Sequence, residues 1–491
     1  MADKNEEKSD SLPTGRQARP PIVAVVGHVD HGKTTLLDYI RKTNLVSREA
    51  GGITQSIGAY EVEYPSAGSG QARKITFIDT PGHEAFSTMR VRGATAADLA
   101  ILVVAADEGV KPQTTEAITI LRETKTPFVV AITKIDKPTA NVDKVKNELV
   151  AADVFLEGMG GDVTWHGVSG TTGEGVGELL DLIILAGEVA DLKYDPEAKA
   201  NGFVIETKKD SRRGVVAHLV LKDGVLHEGD EIVTPSTSGK VKILEDFLGK
   251  RIKEAHPSAP LAVIGFDDLP KSGEEFWAGK VDVAILEKVS GTPPSAEVKT
   301  PETTEITNGL PKTILKADTA GSLEALNQLL AGKVEVKASS IGEIFDSDVK
   351  FAKATESYII GFKTSPNQAA AKLADSQKVK ILTSDIIYKL LEEVERLFEA
   401  GKKEAVIGKL EVLAVFSKTK TKQTIGGKVV EGILRVRAGI EIERGEEILG
   451  RGRILNLQLD KNDVKEVPAG NECGLLLSTN IEIAVGDFIK S

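Results

Sequence analysis

Short apolar runs recur through the first 190 residues, separated by polar, helix-compatible stretches. The pattern predicts strands over 22–26, 74–79, 99–105 and 127–132, with helices over 84–97 and 113–123. Uniformly apolar runs that alternate with amphipathic segments are the signature of a parallel sheet covered by helices on both faces. Ligands of such sheets gather at the carboxyl ends of the strands. Residue 27 falls at the first of those ends.

The rhythm then changes. Between 200 and 290, short strands alternate with turn signals such as Lys222-Asp-Gly and Glu228-Gly-Asp, which predicts a small β-barrel. Residues 291–309 are rich in Thr, Pro and Glu and read as a linker. An α/β pattern returns over 310–382, where Ser322 is expected to cap a helix. A long amphipathic helix follows at 383–404. Its stripe of Ile386, Leu390, Val394 and Leu397 is expected to pack on its own domain. Residues 405–491 are β-rich again. His227-Glu-Gly-Asp-Glu-Ile-Val resembles Glu443-Arg-Gly-Glu-Glu-Ile-Leu, which implies a second barrel of the same kind. The expected domains are thus 20–191, 192–290, 310–382 and 405–491, behind a disordered tail at 1–19. The fold class is multidomain α/β plus β.

With 491 residues and 41 % hydrophobic content, the chain can build several cores. One Cys excludes a disulfide framework and a Cys-based zinc site, and fits a reducing cytoplasm. No apolar run is long enough to span a membrane, and the acidic N-terminus lacks a signal-peptide core. The net charge of −11 argues against a general nucleic-acid coat. It is uneven: residues 406–491 carry 13 basic and 12 acidic side chains, so the excess acid lies before them. A near-neutral last domain on an acidic body is a weak pointer to an RNA partner there.

The chemistry starts at Gly-His-Val-Asp-His-Gly-Lys-Thr (27–34), a phosphate-binding loop between a buried strand and a helix. Gly27 and Gly32 let the backbone N–H groups of His28, Val29, Asp30 and His31 turn toward phosphate. Lys33 supplies charge between the β- and γ-phosphates, Thr34 supplies a hydroxyl for Mg²⁺, and Thr35 continues the helix start. His31 is equally compatible with filling space. Asp30 could balance a bound cation or bond loop N–H groups. Three further motifs sit at strand ends. In Asp79-Thr80-Pro81-Gly82-His83, the carboxylate can hold the Mg²⁺ shell through water, and the Gly82 N–H can meet the γ-phosphate. In Thr133-Lys134-Ile135-Asp136, the carboxylate can accept the two hydrogens that guanine presents and adenine lacks. Ser169-Gly170-Thr171 stands where a base-side loop belongs.

Together these motifs resemble the translational GTPases and, among them, the bacterial translation initiation factor two family. The resemblance also covers Gly51-Gly-Ile-Thr-Gln-Ser-Ile-Gly-Ala-Tyr60, the stretch 249–258, Ile359-Ile-Gly-Phe362, Asp463-Val-Lys-Glu-Val467 and Glu472-Cys-Gly474. It runs from about residue 20 to the end, without the long N-terminal extension common in that family. It implies a monomeric cytoplasmic GTPase that uses GTP/GDP and Mg²⁺; a monovalent cation near Asp30 stays one of the two readings open for that carboxylate. It further implies that the protein delivers initiator formylmethionyl-tRNA and joins the two ribosomal subunits. Thr54 would ligate Mg²⁺ in the GTP state, and His83 would orient the attacking water. Glu472, Cys473 and Gly474 would lie at the formylmethionyl end, although Cys473 is equally compatible with a small buried core residue.

The sequence departs from the family in four places. Thr133 replaces Asn, and Ser169-Gly170-Thr171 replaces Ser-Ala-Lys. Leu457-Gln-Leu-Asp460 replaces a basic and aromatic stretch, and Gly427 stands where a Cys is common. Weaker nucleotide binding is therefore expected. Two other readings follow: a different translational GTPase, or a ribosome-binding scaffold with a weakened nucleotide domain.

Overall fold

The computed structural model describes residues 15–42, 57–65, 72–279, 310–404, 408–419, 422–445, 447–459 and 462–491. The expected linker 291–309, Thr54 and most of the expected tail lie outside them. The chain divides into two compact units, Met1–Leu390 and Leu391–Ser491.

The first unit opens with a six-stranded sheet. Its strands are β1 (Ile22–Gly27), β2 (Gly58–Pro65), β3 (Ala72–Asp79), β4 (Leu99–Ala105), β5 (Phe128–Thr133) and β6 (Trp165–Gly167), in the order β2-β3-β1-β4-β5-β6. Only the β2–β3 pair is antiparallel. Every residue of β1 and β4 is buried, because helices cover both faces. Helices α1 (Lys33–Arg41) and α5 (Val176–Val189) pack on one face, where Leu36, Leu37, Leu179 and Ile183 meet Val23, Val25 and Ile101. The other face carries α2 (Ser87–Ala96), α3 (Pro112–Glu123) and α4 (Val142–Ala151). The helix expected over 84–97 is broken: Glu84–Phe86 is a 3₁₀ turn capped by His83, and the α-helix starts only at Ser87.

The sequence reading of residues 1–19 as a free tail is corrected for 15–19. Gln17–Ala18 pairs with Lys193–Tyr194. Arg19 donates two hydrogen bonds to Asp98, at 2.6 and 2.7 Å. Lys222 donates to the same carboxylate at 2.6 Å. Burial opposes ionisation of Asp98, but the Arg19 bond and the Lys222 charge hold its carboxyl below the usual range. A basic residue near a chain end therefore becomes a strap because the tertiary fold gives it a buried partner.

The next layer is a closed six-stranded barrel. Its strands are β7 (Ala200–Asp210), β8 (Gly214–Asp223), β9 (Glu231–Val233), β10 (Ser238–Asp246), β11 (Pro260–Phe266) and β12 (Glu275–Ala278), joined as β9-β12-β7-β8-β11-β10 and back to β9. A four-stranded parallel sheet follows, made of β13 (Lys312–Ala317), β14 (Glu335–Ile341), β15 (Tyr358–Phe362) and β16 (Ile381–Ser384) in the order β14-β13-β15-β16. Its helices are α6 (Ala320–Leu330), α7 (Asp346–Thr355) and α8 (Gln368–Gln377). Thr319, not Ser322, caps α6, accepting a hydrogen bond from the Ser322 N–H. The helix therefore starts earlier than the apolar pattern indicates. Glu206 ties the barrel to the four-stranded-sheet layer, and a second pair ties that layer to the first sheet. The Glu206 carboxylate is buried and accepts from the Gly321 N–H and the Ser272 hydroxyl, both at 3.2 Å, and Arg92 of α2 pairs with Glu324 of α6. The long helix α9 runs Ile387–Glu404, and among its described side chains Ile387, Leu390 and Val394 are buried.

The second unit holds another closed six-stranded barrel. Its strands are β17 (Gly408–Lys418), β18 (Lys422–Arg435), β19 (Gly439–Arg444), β20 (Glu447–Leu459), β21 (Glu472–Ser478) and β22 (Phe488–Lys490), in the order β17-β22-β19-β20-β21-β18 and back to β17. The faint sequence repeat thus falls on two barrels, with Gly229 and Gly445 at its turns in the left-handed region.

Candidate functional site

The chain leaves β1 at Gly27 and turns into α1 through Asp30 and Gly32, both left-handed at φ 60° and 86°. Any side chain at Gly27 would strike the Val103 carbonyl of β4. This path aims loop N–H groups and the start of α1 at one point, which suits an anion. The Lys33 ammonium folds back into the loop and donates to the carbonyls of Gly27 at 2.9 Å and His28 at 2.6 Å. Burial pushes it down to about 8, against the Asp79 charge, which raises it. A loop that holds a buried cation beside a buried carboxylate, Asp79 at 5 % exposure, matches a phosphate–Mg²⁺ ligand in charge.

The 79–83 turn lies directly against this loop. A Cβ on Gly82 would strike the Lys33 ammonium and come within 2.9 Å of the Val29 nitrogen. The Thr80 hydroxyl donates to the Val25 carbonyl at 2.7 Å. His83 is 8 % exposed, and its Nδ1 accepts the Ala85 N–H at 2.9 Å. That bond places the ring proton of the neutral form on Nε2. Burial holds the imidazole below its ordinary pKa.

The residues expected on the base side converge from β5 and the loop after β6. The Thr133 hydroxyl donates to the His31 carbonyl at 2.5 Å and so ties the 133–136 segment to the phosphate loop. The hydroxyl thus links the two segments although Thr stands in place of the family's Asn. The Lys134 ammonium bonds Glu108 at 3.0 Å. The Ser169 hydroxyl accepts the N–H groups of Thr171 at 3.3 Å and Thr172 at 3.0 Å, which shapes the last loop. A Cβ on Gly170 would lie 2.9 Å from the Leu36 nitrogen, so the absence of a side chain lets this loop rest on the first turn of α1.

One cleft of about 330 Å³ gathers Val29, Asp30, Gly32, Lys33, Thr34, Thr35, Gly82, His83, Thr133, Lys134, Asp136, Gly170 and Thr171. Of the other expected residues, His31 is fully buried and edge-on to His28 at 4.8 Å, and burial pushes it down to about 4. It fills space. Ile135 packs against the sheet core, and Pro81 offers its carbonyl to Arg90.

Sequence reasoning missed the support beneath these loops. Arg90 is fully buried and donates to the carbonyls of Pro81 at 3.0 Å and His83 at 2.5 Å, and it pairs with Glu116 of α3 at 2.5 Å. Gln113 of α3 accepts the Val29 N–H at 3.1 Å. One helix therefore braces both phosphate-side loops. Pro112-Gln113, seven residues past the end of β4, was a signal that strand-end logic could have used. Phe86, Lys137, Ile387 and Tyr388 also line the cleft; the last two come from α9 and had no local signal.

In the C-terminal barrel, Cys473 points into the core beside Leu475 and Leu477, and burial pushes its thiol up to about 11. Of the two readings left open for it, the small buried core residue is the one the structure supports. Glu472 faces outward and Gly474 is half-buried. Gly427 pairs opposite Cys473, and a Cβ there would strike Leu410. Leu410 thus occupies the space that a second Cys would need.

Three family models match successive segments of the chain. The Elongation factor Tu GTP binding domain model matches residues 19–187, Elongation factor G domain 2 matches 199–279, and Translation-initiation factor 2 matches 296–395. Translation initiation factor IF-2 of Aquifex aeolicus is 42 % identical over 96 % of this chain and 61 % of its own length. That of Bacillus pumilus is 40 % identical over 99 % of this chain and 71 % of its own. Among solved structures, GDP-bound aIF5B from Aeropyrum pernix is 29 % identical over 96 % of this chain and 92 % of that one, with a TM-score of 0.46. The chain spans 61 % and 71 % of the two initiation-factor relatives' lengths.

Proposed function

This chain belongs to the translation initiation factor IF-2 family of translational GTPases, and we propose that it binds GTP and hydrolyses it as a ribosomal timing switch during initiation. The observation that carries this reading is the single cleft in which Lys33, Gly82, His83 and Asp136 meet. In this reading Lys33 exchanges its loop carbonyls for β- and γ-phosphate oxygens. The Gly82 N–H meets the γ-phosphate, and because Gly82 already abuts Lys33 and Val29, the turn must withdraw to admit it. Asp136 reads the guanine edge, with Thr133 aligning its segment on the phosphate loop.

The Thr34 hydroxyl and, through water, Asp79 would hold Mg²⁺, which would supply charge neutralisation when bound. Thr54 would add a GTP-dependent ligand, and Asp30 would face a monovalent cation. His83, with its proton on Nε2, acts as a donor that orients the attacking water rather than as a base. Water then bonds to the γ-phosphorus as its bond to the bridging oxygen breaks, and the water proton passes to phosphate. Slow hydrolysis off the ribosome fits the occupation of Nδ1 and the burial of the ring.

The cytoplasmic partners in this reading are both ribosomal subunits and initiator formylmethionyl-tRNA, with the protein acting as a monomer. The C-terminal barrel would hold the formylmethionyl end through the surface at Glu472 and Gly474, with Cys473 serving the core beneath. Among the described residues, no helix is long and apolar enough to cross a membrane.

Titration of a fluorescent GDP with ATP as competitor tests the nucleotide site. Micromolar binding that ATP does not displace is expected, and displacement by ATP would overturn guanine recognition. Asp136→Asn should move preference toward xanthine nucleotides. For the tRNA role, the full chain should slow hydrolysis of the formylmethionyl ester. No protection would remove that role.

A further inference from the structure

The first turn of α9 places Tyr388 over His83. The two rings meet edge to face, with centroids 4.6 Å apart and planes at 77°. Phe86 stands on another side at 6.1 Å and 73°. Backbone and side chain together confine the imidazole. Its Nδ1 is committed to the Ala85 N–H, and Arg90 holds the His83 carbonyl from beneath. Of these contacts only Tyr388 comes from outside the nucleotide domain. It is also the most exposed, at 44 %, although its neighbours Ile387 and Leu390 are fully buried. A large aromatic ring left half in solvent at the mouth of the cleft gains little from its own burial. Its defined contact is with the group that orients water.

The geometry points to Tyr388 as a positioning residue that restrains His83, so that hydrolysis stays slow until the start of α9 shifts. This inference rests on the reading that His83 orients the attacking water. Turning Nε2–H toward the γ-phosphate requires the imidazole to leave its capping bond and its two aromatic walls. Phe86 belongs to the same 3₁₀ turn as the cap and travels with His83. Tyr388 belongs to a separate element and does not. Loss of an edge-to-face pair is worth roughly two- to tenfold in the population of the released imidazole.

The experiment is single-turnover and steady-state GTP hydrolysis by the full chain without ribosomes, for Tyr388→Ala, Tyr388→Phe, His83→Ala and the double variant His83→Ala/Tyr388→Ala. Tyr388→Ala should raise kcat two- to tenfold with KM for GTP and Kd for GDP within twofold of the parent. Tyr388→Phe keeps the ring and should keep the slow rate. The double variant should be as slow as His83→Ala. A kcat for Tyr388→Ala at or below the parent value overturns the restraint. So does a double variant faster than His83→Ala, because the gain would then not pass through the imidazole. If His83→Ala hydrolyses GTP as fast as the parent, the water-orienting reading itself fails. If His83→Ala is slow while Tyr388→Ala is unchanged, only the role of Tyr388 falls.

Discussion

Replacing Thr133 with Val tests whether one hydroxyl couples the base-reading segment to the phosphate loop. The two side chains have nearly the same shape, so the substitution removes the 2.5 Å bond to the His31 carbonyl and adds little strain. Thr133 is 2 % exposed and His31 is fully buried, so water cannot easily replace the lost donor. An unpaired buried carbonyl costs about 1–3 kcal/mol. The loop can relax when no nucleotide fixes it, so part of that cost falls on the bound state. About tenfold weaker GDP binding is expected, equivalent to about 1.4 kcal/mol. Fluorescent GDP titration gives the affinity, and urea unfolding of the same samples separates lost stability from lost coupling. A GDP affinity within twofold of the parent would refute the idea that this bond aligns the site.

Other substitutions probe the neighbouring contacts. Gly82→Ala puts a methyl against the Lys33 ammonium and the Val29 nitrogen, and should cut GTP hydrolysis at least tenfold while GDP still binds; stopped-flow phosphate release reads it. Glu116→Gln weakens the charge-assisted bond that steadies Arg90, and should slow hydrolysis severalfold with GDP affinity intact. Desolvation pushes the imidazoles of the fully buried His31 and the half-buried His218 down to about 4 from 6.5. Between those values the unfolded chain binds more protons than the folded one. The stability present above pH 6.5 is therefore lost as pH falls toward 4, by about 2 kcal/mol per histidine at pH 5. Chemical denaturation at pH 7 and 5 measures the loss, and His218→Gln should remove about half of the part due to the pair.

The pattern of apolar runs by itself determined that a parallel sheet would form, with its carboxyl edge as the place for a ligand. Burial on both faces leaves β1 and β4 no polar position to spare, so their runs are unmistakable. The residues proposed to face the ligand stand out for a related reason. Phosphate, Mg²⁺ and guanine each demand particular donors at short spacing, and Lys33, Asp79 and Asp136 stand in such segments. What sequence could not reach were partners remote along the chain. Arg19 looks like part of a loose tail until Asp98 and Lys222 enclose it. Thr133 looks like a departure that weakens the site until its hydroxyl meets the His31 carbonyl. Arg90, Gln113 and Tyr388 carry no local motif, because a side chain's chemistry reveals what it can bond and not which loop the fold will bring to it. Only tertiary packing decides that, by burying polar groups from separate elements together, where each must find a partner.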